Sequence, residues 1–147
     1  MIVIDSSVII DSLLPKLGDR YLKADKILKE VKQKDLRVYT PKILKVELAS
    51  VLSRKKDVDI VRRFIEELVS EIALIPEERL FDLAYDIAFK VRGRATDAYF
   101  IATAKLTNSL LITNDKIMVN NARKYGIEAY YLIEDFDKII ERLKTIA

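Results

Sequence analysis

The chain has 147 residues, of which 50% are hydrophobic and 33% are charged, and its formal net charge is +3. This length suits one domain with a full hydrophobic core, and no apolar run approaches the ~18 residues of a membrane-spanning helix. Histidine and cysteine are absent. Their absence excludes disulfides, thiolate or imidazole metal sites and Ser-His-Asp catalysis. An enzyme built from this chain must therefore use carboxylates, lysines, hydroxyl groups or a hard metal ion.

The net charge and the first residues of the chain indicate which binding partners and which cell compartment to expect. A pI of about 9.0 is a mild basic bias that is compatible with nucleic acid. The chain opens on an apolar run without a basic leader, so we expect a cytoplasmic protein with no membrane partner. Its three glycines lie far apart, which excludes a glycine-rich phosphate loop.

The first seven residues predict a buried strand followed by polar side chains. Met1 to Ile4 form a short β-branched run, which is typical of a central strand of a parallel sheet. Asp5, Ser6 and Ser7 follow directly, at the end of the strand where ligands bind in open α/β sheets. A helix cap is the other interpretation of Asp5, because aspartate often caps helices.

Strands and helices alternate along the rest of the chain. Strands are predicted over residues 37–39, 71–75, 110–112 and 128–132. Helices are predicted over residues 8–14, 21–34, 40–54 with Thr40 as cap and Pro41 as first position, 58–69, 77–91, from Ala95 onward, 115–124 and 135–146. Alternation of this kind favours parallel pairing with right-handed crossovers. We therefore predict one domain over residues 1–147, a three-layer α/β/α sandwich with a parallel sheet of four or five strands.

Three further acids occupy informative positions. Glu47 lies between Ile43 and Val51, at the edge of the apolar face of its helix. Burying an unpaired carboxylate is costly, so Glu47 either reaches solvent and a basic neighbour or serves a site. Asp97 falls in the first turn of the helix that opens at Ala95. Asp115 follows the apolar strand 110–112, and it either caps the next helix or joins Asp5.

We expect these four acids, Asp5, Glu47, Asp97 and Asp115, to converge on one pocket of like charges. Such groups raise each other's pKa and destabilise the fold unless a cation neutralises them. Magnesium and manganese prefer oxygen ligands, and they can activate water for attack on a phosphodiester. Two basic side chains next to these acids, Arg94 and Lys116, are predicted to hold substrate phosphates.

An ordered set of motifs resembles the PIN-domain ribonucleases, and the chain length resembles that of the VapC-type toxins of toxin–antitoxin pairs. These motifs are Val3-Ile4-Asp5-Ser6-Ser7, Pro41 with Glu47 six positions on, Thr96-Asp97-Ala98 with Ala102-Thr103-Ala104, and Thr113-Asn114-Asp115. The resemblance implies an endoribonuclease dependent on Mg²⁺ or Mn²⁺. It implies that the catalytic, metal-binding residues are Asp5, Glu47, Asp97 and Asp115, assisted by Ser6, Ser7, Thr113 and Asn114.

The resemblance also implies partners, and it leaves the role of the enzyme open. Members of the family commonly form homodimers, and the toxins are silenced by a cognate antitoxin protein. A solitary RNA-processing nuclease of the same fold is an alternative. A module that binds RNA or protein without cleavage is a second alternative, and a phosphoacceptor receiver domain fits less well because Ser6 and Ser7 stand where a receiver needs an acid.

Overall fold

The structure is a computed structural model that describes residues 1–146. The last residue of the predicted domain, Ala147, lies outside the described residues. The apolar segments form a five-stranded sheet of β1 (Ile2–Ile4), β2 (Val38–Pro41), β3 (Ala73–Ile75), β4 (Leu110–Thr113) and β5 (Ala129–Tyr131). The strand order is β3-β2-β1-β4-β5, and every pair is parallel. The predicted parallel α/β sheet is confirmed.

Helices cover both faces of this sheet. Within residues 1–146 they are α1 (Ser6–Asp11), α2 (Asp19–Gln33), α3 (Leu44–Leu52), α4 (Val58–Val69), α5 (Glu77–Val91), α6 (Ala95–Thr107), α7 (Lys116–Lys124) and α8 (Leu132–Leu143), with a short 3-10 helix at Pro15–Leu17. Helix α6 packs against β1, β2 and β4 and contacts α5, whereas α2 contacts α1 and α8. Among the described residues, none of the helices combines the length and apolar character needed to cross a membrane.

The hydrophobic core surrounds the central strand. Ile2, Val3 and Ile4 are fully buried in β1, and Phe100 of α6 is the largest buried side chain. Small residues let α6 approach the sheet closely, because Ala98, Ala102 and Ala104 present little bulk; all three are buried. This packing fixes the first turn of α6 near the carboxyl end of β1.

The predicted start of α3 is wrong. Thr40 and Pro41 belong to β2, where they pair with Leu74 and Ile75 of β3. The backbone N–H of Lys42 continues this pairing with a hydrogen bond of 2.9 Å to the carbonyl of Ile75. Pro41 is tolerated because it is the last residue of the strand, where a missing N–H removes little pairing.

Two other boundaries also differ from prediction. The predicted helix over residues 8–14 is α1 over Ser6–Asp11, followed by a turn and the 3-10 helix. The predicted strand 128–132 stops at Tyr131, and α8 begins at Leu132 rather than at Asp135. Asp135 has non-helical backbone angles, so the helix is kinked there and the periodic pattern that begins at Asp135 covers only its second part.

Candidate functional site

The central strand pair brings Asp5 and Asp115 to the same edge of the sheet. Ile4 of β1 pairs in register with Ile112 of β4. The backbone N–H of Asp5 donates a hydrogen bond of 3.0 Å to the carbonyl of Ile112. Asp115 comes three residues after Ile112, so both carboxylates follow the carboxyl ends of neighbouring strands.

Hydroxyl groups hold the buried carboxylate of Asp5. Ser7 and Thr113 donate hydrogen bonds of 2.7 Å and 2.8 Å to its Oδ2 atom. The backbone N–H groups of Asn114 and Asp115 donate in turn to the oxygens of Ser7 and Thr113, each at 3.0 Å. Each of these two hydroxyl groups accepts a backbone N–H with an oxygen lone pair. Its single proton therefore remains available for donation to Asp5. Burial nevertheless raises the pKa of Asp5, and the hydroxyl groups oppose this rise.

Glu47 of α3 reaches the same carboxylate through Ser6. The Ser6 hydroxyl lies 3.3 Å from Glu47 Oε1 and 3.4 Å from Asp5 Oδ1. Burial raises the pKa of Glu47 to about 7; the negative charge of Asp5 contributes next, and the Ser6 hydroxyl opposes the rise. The structure therefore brings Glu47 to the site instead of pairing it with a basic residue on its own helix.

Asp97 and Asp115 share one guanidinium group. Arg94 Nε donates to Asp97 Oδ2 at 3.2 Å, and Arg94 Nη2 donates to Asp115 Oδ2. Burial raises the pKa of Asp97 to about 6; Arg94 opposes this rise, and the charges of Asp5 and Asp115 add to it. The four acids thus lie near enough to perturb one another electrostatically.

Asp115 caps the helix that follows it, whereas Asp5 does not. Asp115 Oδ1 accepts hydrogen bonds from the backbone N–H groups of Ile117 and Met118, at 2.9 Å and 3.3 Å, so it caps α7. Its second oxygen, Oδ2, accepts a hydrogen bond from Arg94 Nη2. Asp5 precedes α1, but its side chain makes no capping hydrogen bond. The carboxylate of Asp5 is therefore committed to the site and not to the helix.

A tight turn between α5 and α6 positions Arg94. Helix α5 ends at Arg92, which has a left-handed φ of 54°. A Cβ atom on the next residue, Gly93, would lie 2.7 Å from Nδ2 of Asn121. Only glycine lets the backbone pass the buried Asn121 side chain this closely, which brings Arg94 back over the first turn of α6.

Two of the predicted phosphate-positioning side chains are engaged elsewhere. Lys116 Nζ lies 3.3 Å from Glu134 of α8, and Asn114 Nδ2 donates a hydrogen bond of 2.6 Å to Asp11. Asp11 is buried and accepts two hydrogen bonds from Arg20 Nη2 and one from its Nε. The sequence interpretation missed Asp11, although an acid inside an apolar helical segment is the signal that singled out Glu47.

The donor set fits a hard divalent ion. Every side-chain donor among the four acids and the neighbouring hydroxyl groups is an oxygen, which suits Mg²⁺ or Mn²⁺. Within residues 1–146, no three acids are gathered tightly enough to hold one ion. The guanidinium of Arg94 lies between Asp97 and Asp115 and neutralises part of their charge. An ion at this site would take over that neutralisation.

Comparisons with known proteins agree with this architecture. The sequence profile of the PIN domain matches residues 2–124. An uncharacterised protein of Methanocaldococcus jannaschii with a KH and a PIN domain is 28% identical over 137 residues; the match covers 89% of this chain and 20% of that protein. This chain thus spans about a fifth of the length of that relative. A chain in the structure of FitAB bound to the IR36 DNA fragment superimposes with a TM-score of 0.70 at 19% identity, covering 88% of this chain and 94% of that chain.

Proposed function

This chain belongs to the PIN-domain family, and we propose that it is an endoribonuclease that hydrolyses RNA phosphodiester bonds with the help of Mg²⁺ or Mn²⁺. The observation that carries the proposal is the convergence of Asp5, Glu47, Asp97 and Asp115 at one edge of the sheet, with the pKa of Glu47 raised to about 7. Carboxylates held together in this way destabilise a fold, so their grouping favours a functional site.

The proposed chemistry divides the work between the acids. A divalent ion, if bound here, would supply a water of lowered pKa and would offset the charge of the phosphate. Asp5, Asp97 and Asp115 are the residues that would hold the ion, together with Glu47. Glu47, which lies next to Asp5 through the Ser6 hydroxyl, is also the carboxylate that we propose accepts the proton of an attacking water. The water oxygen bonds to phosphorus as the bond to the leaving ribose oxygen breaks, and that oxygen takes a proton from solvent water.

Arg94 is proposed to hold phosphate. Its side chain is 68% exposed although it bridges two carboxylates, so it lies at the open side of the site. If Asp97 and Asp115 held an ion, the guanidinium of Arg94 would be free to bind a phosphate group with two parallel hydrogen bonds. Lys116, which pairs with Glu134 on an exposed surface, is placed by the same proposal at the rim of the RNA path.

The test is cleavage of a labelled single-stranded RNA by the full chain in Mn²⁺. We expect cleavage that EDTA abolishes and that Asp97→Asn reduces at least ~100-fold, while circular dichroism remains unchanged. A matched control is Asp59→Asn on α4, an exposed acid outside the site, which should cleave at the parental rate. Full activity of Asp97→Asn, or activity in EDTA, would overturn the proposal. RNA that is bound but intact would favour the non-cleaving alternative.

We further propose that the protein is the VapC-type toxin of a toxin–antitoxin pair and acts in the cytoplasm. The support is the PIN-domain match over residues 2–124 and the likeness in fold to a chain of the FitAB structure, which covers 88% of this chain and 94% of that chain. Growth arrest on induced expression, relieved by Asp97→Asn and by co-expression of a protein encoded next to this chain, is the expected result. Cleavage activity without growth arrest would favour a solitary RNA-processing nuclease instead.

A further inference from the structure

Asp11 is a buried carboxylate that the proposed chemistry does not use. It is the last residue of α1, and only 3% of its surface is exposed. Arg20 of α2 contacts both of its oxygens: Nη2 lies 3.0 Å from Oδ1 and 2.9 Å from Oδ2, and Nε lies 3.2 Å from Oδ2. Hydrogen bonds from one planar guanidinium to both oxygens prevent the carboxylate from rotating. The direction in which Asp11 presents its oxygens is therefore fixed.

The side chain of Asn114 has Asp11 as its hydrogen-bond partner. Asn114 Nδ2 donates a hydrogen bond of 2.6 Å to Asp11 Oδ2. The other end of the amide, Oδ1, is buried and has no hydrogen-bond partner within residues 1–146. Turning the amide over would place Oδ1 against the carboxylate of Asp11, which accepts hydrogen bonds but cannot donate them when it is ionised. The contact with Asp11 therefore fixes one orientation of the Asn114 side chain.

Asn114 contacts α1 at two points that are one helical turn apart. Its backbone N–H donates to Ser7 Oγ at 3.0 Å, and its side chain reaches Asp11, four residues further along the helix. Residues four apart lie on the same face of a helix. Ser7 in turn donates to Oδ2 of Asp5 at 2.7 Å, and Asp115 directly follows Asn114. The two hydrogen bonds therefore hold the segment that carries Asp115 against the helix that holds Asp5.

We propose that Asp11 is a positioning residue of the acidic site and acts through Asn114. By fixing the Asn114 side chain, Asp11 sets the separation between the carboxylates of Asp5 and Asp115 and keeps Ser7 in place to donate to Asp5. The inference rests on the proposed nuclease function, because the separation of the acids matters for cleavage. A displacement of about 1 Å in a catalytic site can lower a rate ~100-fold.

Apolar packing would hold α1 against this segment at a lower cost. Replacing a buried pair of a carboxylate and an arginine by apolar side chains is often neutral or stabilising, because the charged groups lose their hydration on folding. The unpartnered Oδ1 of Asn114 adds a further cost. The polar contact supplies direction instead, since the strength of a hydrogen bond depends steeply on its angle. A directional contact next to Asp5 and Asp115 favours a role in positioning them.

The first test is a double-mutant cycle on cleavage of a labelled single-stranded RNA by the full chain in Mn²⁺. Asp11→Ala should lower kcat at least ~30-fold and leave KM within about threefold, because the acids shift while the surface that binds RNA is unchanged. Asn114→Ala should lower kcat by a similar factor. The double variant should lose no more than Asn114→Ala alone, since Asp11 acts through Asn114.

Ser109→Ala is the matched control for a loss of stability. Ser109 is buried at the amino end of β4, and its hydroxyl lies 2.7 Å from Oγ1 of Thr107, so the variant loses a buried hydrogen bond at the opposite edge of the sheet. It should lower the Tm and keep the parental kcat. A parental kcat in either Asp11→Ala or Asn114→Ala would overturn the proposal, and so would losses that multiply in the double variant. Because Asn114 is only half-buried, its variant keeps the test decisive even if Asp11→Ala does not fold.

The second test follows the contact in the absence of RNA and metal. The side-chain amide signals of Asn114 in a nitrogen–proton correlation spectrum are identified by their loss in Asn114→Ala. One of the two amide protons should exchange with solvent at least ~10-fold more slowly in the parent than in Asp11→Ala, because it is bonded to a buried carboxylate. Equal exchange rates would overturn the proposal. A parent with slow exchange that leaves RNA intact would refute the nuclease function and the positioning role with it, whereas a parental kcat in Asp11→Ala would refute the positioning role alone.

Discussion

Thr113 donates a hydrogen bond of 2.8 Å from its hydroxyl to Oδ2 of Asp5, and so joins the carboxyl ends of the two central strands. The same hydroxyl accepts the backbone N–H of Asp115 at 3.0 Å. Thr113 is fully buried. The Thr113 hydroxyl therefore links two of the four acids. Because it accepts the N–H of Asp115, its own proton points at Asp5.

Replacing this hydroxyl should destabilise the protein. Thr113→Val keeps the shape of the side chain but removes one of the two hydroxyl donors to Asp5 Oδ2 and leaves the N–H of Asp115 without its acceptor, which costs about 1–3 kcal/mol in urea unfolding at neutral pH. Losing a donor to the charged form raises the pKa of Asp5 further, so the loss should grow as the pH rises. Thr145→Val at an exposed position is the control and should stay within about 0.5 kcal/mol of the parent. An equally mild effect of Thr113→Val would contradict this role of the hydroxyl.

The raised pKa values of Glu47 and Asp97 predict an unusual pH dependence. Between their ordinary values, 4.5 and 3.8, and the folded values of about 7 and about 6, the folded state binds more protons than the unfolded state. The free energy of unfolding therefore falls as the pH rises through this window. Solvent screening and Arg94 limit the combined fall to about 1–3 kcal/mol.

Urea unfolding in EDTA at pH 5 and pH 8 measures this dependence. We expect the parent to be less stable at pH 8 from this contribution, and Glu47→Gln to reduce the difference because one titrating group is gone. Glu66→Gln on α4, an exposed acid, is the control and should leave the pH dependence unchanged. A Glu47→Gln variant with the full parental pH dependence would show that Glu47 does not carry the raised pKa.

Arg94 should compete with divalent ions for the acids that it bridges. Arg94→Gln removes the charge that neutralises Asp97 and Asp115, so the variant should melt lower than the parent in EDTA. Mn²⁺ should then raise its Tm by more than it raises the parental Tm, because binding no longer displaces a cation. Differential scanning fluorimetry measures both shifts, with Arg63→Gln on α4 as the control. Equal Mn²⁺ shifts in parent and Arg94→Gln would exclude this competition.

A side chain at Gly93 should be costly while Asn121 is present. A Cβ at this position would meet Asn121 Nδ2 at 2.7 Å, so Gly93→Ala must displace the buried amide or the turn that carries Arg94. We expect a loss of about 1–3 kcal/mol for Gly93→Ala. In a double-mutant cycle, combining it with Asn121→Ala should cost less than the sum of the single changes. If the losses of the two single variants simply added in the double variant, the cost of Gly93→Ala would not come from its contact with Asn121.

The proximity of the four acids could be predicted from the sequence because they stand at positions with local signals. Asp5 and Asp115 follow apolar runs, Asp97 opens a helix, and Glu47 interrupts an apolar helical face. Parallel strands bring such positions to one edge of a sheet without further information. The alternation of strands and helices, with these acids at the ends of the segments, was therefore enough to predict that they meet.

The contacts that orient the acids depend on residues far apart in the chain, and the sequence does not reveal them. The pairing of Asn114 with Asp11 spans 103 positions, and the bridge from Arg94 to Asp115 spans 21. Thr40 and Pro41 have the local pattern of a helix start, but pairing with β3 makes them a strand. At Thr40 and Pro41, tertiary hydrogen bonds therefore overrode local propensity.

Binding of Mn²⁺ to the full chain, followed by the loss of the free-ion signal in electron paramagnetic resonance, tests the acidic site most directly. The parent should bind the ion in the micromolar to millimolar range. Asp97→Asn and Glu47→Gln should each weaken binding at least ~10-fold, and Asp59→Asn should not. Equal binding by the parent and Asp97→Asn would contradict a shared metal site at the edge of the sheet.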